Sequence, residues 1–103
     1  MLVAFSIAPS GGGTDDTGSV TEAVAAAVKV VRDSGLPHHT DPMFTTIEGE
    51  WDEVFEVVRL ATEAVGRFAP RVSLVLKADI RPGYSGELTA KLSRLETELA
   101  QKG

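Results

Sequence analysis

The chain has 103 residues, 43% hydrophobic and 24% charged, which predicts one domain over residues 1–103 and excludes the low-hydrophobicity, high-charge signature of disorder. Fifteen acidic against ten basic residues give a net charge of −5, which argues against a phosphate-tracking nucleic-acid surface and makes a cationic or neutral small ligand electrostatically easier. The absence of cysteine excludes disulfides and thiolate metal sites.

Leu2 to Ala8 is apolar with Val, Phe and Ile, and reads as a strand ended by Pro9. The opening MLVAFSIAPS lacks a basic n-region, and no apolar run nears the roughly 20 residues that span a bilayer. The expectation is a soluble, cytoplasmic protein with no membrane partner. A loop, SGGGTDDTG, follows, and Ser19 with Glu22 three residues later forms a capping-box signal for a helix start. Val20, Val24, Ala27, Val28 and Val31 then recur at helical spacing until Gly35.

Leu36 to about Phe44 is short and carries two prolines, so it reads as an edge strand, with Thr45 to Gly49 as its hairpin partner. Val54, Val57, Val58, Ala61, Val65 and Phe68 make a second helical stripe, with Glu50, Asp52 and Glu53 near the positive end of its dipole. Arg71 to Ile80 reads as a strand stopped by Pro82-Gly83. A last helix begins near Gly86, with Leu88, Leu92, Leu95 and Leu99 on one stripe and Glu87 and Lys91 at i,i+4 spacing. The order β-α-β-β-α-β, then α, predicts an α+β, ferredoxin-like fold: a four-stranded antiparallel sheet plus a C-terminal helix. Two helices cover one face of such a sheet and leave the other open.

Alternation along the strands sorts residues into two faces. With Val3, Phe5, Ile7, Val72, Leu74 and Leu76 on the helices, the open face receives Ser6, Thr46, Glu48, Ser73, Lys77 and Asp79. Ala4, Ala8 and Val75 share it, and a lysine between acids suggests mutual satisfaction. Such a face is either simply wet, an assembly surface stacked on a second copy, or a ligand site. The leucine stripe of the last helix also needs burial, on its own sheet or on another subunit.

AFSIAPSG, PMFTTIEGEWDEV and RVSLVLKADIR, taken with the helices between them, resemble the YkoF-like thiamine-binding domain family over nearly the whole chain. The resemblance implies a ferredoxin-like domain whose sheets pair into dimers, commonly dimers of dimers. It further implies non-catalytic binding of thiamine or its hydroxymethylpyrimidine portion. No cofactor and no metal are expected. It directs interest to Ser6, Thr45, Thr46, Glu48, Lys77 and Asp79. Hydroxyls suit an aminopyrimidine, a carboxylate suits the thiazolium cation, and Phe44 or Trp51 offers a ring to stack on, although Trp51 at the helix start reads first as a core or interface residue.

Other signals are weaker. GGGTDDTG lacks the GK[ST] ending of a phosphate loop and carries two aspartates. His38 and His39, adjacent on a strand, point to opposite faces and do not share a metal easily. No Ser/His/Asp motif supports an enzyme, and a Glu48/Asp79 acid/base pair would need one shifted carboxylate. The alternative to ligand binding is a structural or regulatory oligomer whose open face is an assembly surface.

Overall fold

A computed structural model describes residues 1–10, 17–83 and 85–102. The elements are β1 (Leu2–Ser10), α1 (Thr17–Asp33), β2 (His38–Thr40), β3 (Thr45–Glu48), α2 (Trp51–Gly66), β4 (Arg71–Asp79) and α3 (Glu87–Lys102). The strands form one antiparallel sheet in the order β2-β3-β1-β4, the ferredoxin-like arrangement expected from the sequence.

Register fixes the two faces. Val3 lies between Ile47 and Ala78, and Phe5 between Thr45 and Leu76, under α1 and α2. There Val3, Phe5 and Ile47 close a core with Val31 of α1 and Val54, Val57, Val58 and Ala61 of α2. The α2 stripe is buried from Val54 to Val65, as its spacing predicts, whereas on α1 Val31 is buried and Ala27 packs against the core but Val20 and Val24 are 50% and 45% exposed, and Ala23 is the buried residue of that part of the helix.

Three boundaries differ from expectation. The loop at 11–16 lies outside the described residues, and α1 already runs from Thr17, so Ser19 sits inside the helix rather than at its cap. The edge strand is three residues long rather than nine, because Pro37 and Pro42 bracket it and Asp41 starts a turn. Asp41 Oδ1 accepts from the Met43 and Phe44 amides, both at 2.8 Å, and the Asp41 amide donates to Phe44 O at 2.9 Å. β1 instead runs past Pro9 to Ser10, paired there with β4 alone. A residue without an N–H is tolerated where one flank has no neighbour.

α2 opens with a reciprocal cap. The Glu50 side chain accepts from the N3 amide, and the Glu50 amide donates to Glu53 Oε1 at 2.9 Å. Gly49 just before it is hemmed in: an added Cβ would lie 3.2 Å from Glu53 Oε1 and 3.3 Å from Leu36 and Val54 side-chain carbons.

Ile47 has no exposure, so Ile47→Ala is expected to lower the unfolding free energy by about 3 kcal/mol. Leu60→Ala, at a position 41% exposed, should cost less than about 1 kcal/mol. Urea unfolding followed by circular dichroism compares them; equal losses would contradict the assignment of faces.

Candidate functional site

Two places gather polar side chains, one on each face of the sheet. On the face away from α1 and α2, Leu2 lies between Glu48 and Asp79, Ala4 between Thr46 and Lys77, and Ser6 opposite Val75. Ser6, Thr46, Glu48, Lys77 and Asp79 therefore share this face. Thr45 does not: strand alternation turns it to the helix-covered side.

Glu48 is the buried member, 6% exposed, and its partner is not Lys77. Its carboxylate accepts from the Glu87 amide at 2.7 Å and the Leu88 amide at 3.3 Å, satisfying orphan donors at the start of α3. The mutual satisfaction expected between Lys77 and its neighbouring acids is thus replaced, for Glu48, by helix capping, and Lys77 stays exposed. Glu87, equally buried, is held by Arg94 at 2.8 Å with Arg81 at 3.8 Å. The Lys91 end of the expected Glu87–Lys91 pair lies outside the described side chains. Gly83 and Gly86, at φ of 83° and 69°, turn the chain from β4 into α3, a conformation that glycine adopts without strain.

Farther along α3 the apolar stripe has little to rest on. Leu95 is 55% exposed and Leu99 59%, while Val75 on the open sheet face is 57% exposed. Trp51 is also exposed and stacks on Phe55, with centroids 5.1 Å apart at 16°, rather than entering the core.

The second place arises where β1 outruns β3. The hairpin turns away through residues 41–44, beyond the Thr40–Thr45 pair, and the space left between β1, α1 and the turn is a cavity of about 140 Å³. Phe5, Ile7, Val24 and Val31 supply apolar wall, Phe44 adds an aromatic edge, and the mouth carries Thr40, Thr45 and Asp41. The Thr40 and Thr45 hydroxyls lie 3.3 Å apart. Backbone hydrogen bonds from Phe44 and Met43 hold the Asp41 carboxyl below its ordinary value. Of the residues singled out in the sequence for a ligand, this cavity takes Thr45 and Phe44 and borders Ser6. Asp41 and Thr40 were missed, although Asp-Pro is a turn-initiating signal in TDPMF.

The cavity is smaller than the roughly 300–1,000 Å³ that encloses a drug-sized ligand, and suits a single planar ring with the remainder outside. Two hydroxyls that donate and accept, apolar walls and one carboxylate match a small heterocycle with an amino group and a positive charge. No helix among the described residues is long and apolar enough to cross a membrane.

A family model described as Thiamine-binding protein matches residues 3–96. The chain is 52% identical over 100 residues to a UPF0045 protein of Mycobacterium bovis, covering 96% of this chain and 94% of that one. Among solved structures, the domain of unknown function DUF77 from Bacillus cereus is similar, at 30% identity and a TM-score of 0.72, over 84% of this chain and 83% of its own. A Thermotoga maritima protein described as a candidate in thiamine biosynthesis or salvage shares the fold with a TM-score of 0.71. It is 24% identical and covers 89% of this chain and 96% of its own.

Glu48→Ala leaves the Glu87 amide without its acceptor, and is expected to destabilise the fold by about 1–2 kcal/mol. Amide hydrogen exchange should speed up first at Glu87 and Leu88, with Val3 and Ile47 still protected. Unchanged exchange at the start of α3 would show that Glu48 does not anchor it.

Proposed function

The chain belongs to the thiamine-binding protein family, and on that premise we propose that it binds thiamine or its hydroxymethylpyrimidine portion without turning it over, in the cavity beside Thr45. The observation that carries this is the pairing of the Thr40 and Thr45 hydroxyls at the mouth of a one-ring apolar space. The aminopyrimidine enters between Phe5, Ile7 and Val31, its amino group and ring nitrogens meeting the two hydroxyls. The thiazolium stays at the mouth, on the side of Asp41. Ser6 borders the cavity from β1, whereas Thr46, Glu48, Lys77 and Asp79 belong to the opposite face and take no part in holding the ring.

Those four residues, with Val75 and the outer half of α3, fit a second role within the same protein. We assign the open face to self-association into a dimer, or a dimer of dimers. Support comes from Val75, Leu95 and Leu99, three large apolar side chains each more than half exposed. Glu48 serves this indirectly, by fixing where α3 starts.

Calorimetric titration with thiamine and with the hydroxymethylpyrimidine tests the first role. Thr45→Val should weaken binding by roughly two- to tenfold, the worth of one hydrogen bond, with unchanged circular dichroism. No heat and no thermal shift at millimolar ligand would remove the proposal. For the second role, Leu95→Glu with Leu99→Glu should shift the mass seen by light scattering to that of one chain while thiamine still binds. A monomeric parent protein would refute assembly and leave binding standing.

A further inference from the structure

Resting on the thiamine-type occupancy of the hairpin cavity, we infer that the site takes the unphosphorylated ligand and turns away its phosphate esters. No lysine, arginine or histidine is among the described residues that line the cavity, and its one ionisable side chain is Asp41. Phosphate recognition needs cationic side chains or a nest of free backbone N–H groups. The turn does contain such a nest in outline, because the Met43 and Phe44 amides converge on one point. Both are already occupied, at 2.8 Å, by the carboxylate of Asp41. The chain has in effect filled its own anion position with an aspartate, and an incoming phosphate meets a negative charge where it would look for donors.

The surroundings do not reverse this. The neighbouring His39 takes the opposite face of the sheet by register, opposite Thr46, and its charge acts on the Asp41 carboxyl only weakly, behind the two amides. The chain as a whole carries −5, so the long-range field adds to the local repulsion. Backbone donation keeps Asp41 ionised throughout the neutral range. A free thiazolium cation is attracted by the same charge that disfavours the ester. Asp41 is exposed, so screening limits the discrimination to a modest factor.

The test is titration of the full chain with thiamine and with thiamine monophosphate, at low salt and at about 0.5 M salt. Thiamine is expected to bind roughly three- to tenfold more tightly at low salt, with the gap narrowing at high salt. Asp41→Asn keeps a side-chain oxygen for the Met43 and Phe44 amides and so preserves the turn while removing the charge. It should shrink the gap to less than about twofold, with an unchanged amide spectrum at residues 41–44 confirming the shape. Equal affinities in the parent protein, or a gap that Asp41→Asn leaves intact, would overturn the inference while thiamine binding stands. Absence of binding by both ligands would overturn the inference and the binding role together.

Discussion

The register of β3 against β1 is the constraint on which both faces depend. Ile47, without exposure, is held opposite Val3 beneath Val31 and Val54, and this one burial leaves β3 no freedom to slide. Once Ile47 is down, Thr45 must be down as well, and Thr46 and Glu48 must be up. Four residues therefore feed two separate places: a hydroxyl at the mouth of the cavity and a carboxylate at the start of α3. The polar character of TTIE is explained by its ends, where the helices do not cover it and α3 needs acceptors.

Much of the architecture was legible because hydrophobic spacing and sheet alternation are local signals. The valines of α2 recur at helical spacing and are buried, and the faces sorted from β1 and β4 agree with the paired register. Less legible was anything depending on contacts between distant segments. Glu48 is a candidate ligand group by its alternation onto the open face and by the family resemblance, and neither signal reveals its hydrogen-bond partners. Its partners, the amides of Glu87 and Leu88, are 39 and 40 residues away in the chain. The cavity was invisible for a different reason. Reading 36–44 as a continuous strand suppressed the turn chemistry of Asp41, and with it the hairpin end where Thr40 and Thr45 meet.

Among the described residues, α3 is the element least packed against the rest of the fold. Its first turn is tied by Glu48 and by the Glu87–Arg94 pair, while its outer leucines remain exposed. Anchoring of this kind defines direction without supplying much buried area, so the stability of the outer half must come from helix propensity or from another chain. Family membership and the UPF0045 and DUF77 relatives fit a small domain whose shape is shared more widely than any stated activity.

The unequal lengths of β1 and β3 have a consequence for how the opening can vary. The cavity is the gap left where one strand continues and its neighbour ends, so its floor belongs to the rigid sheet and its rim to a short connection. Insertion or deletion of a residue or two in that connection resizes the opening without disturbing Ile47 or the helices above it. Changes confined to that connection can thereby alter the shape of the opening at small cost to folding.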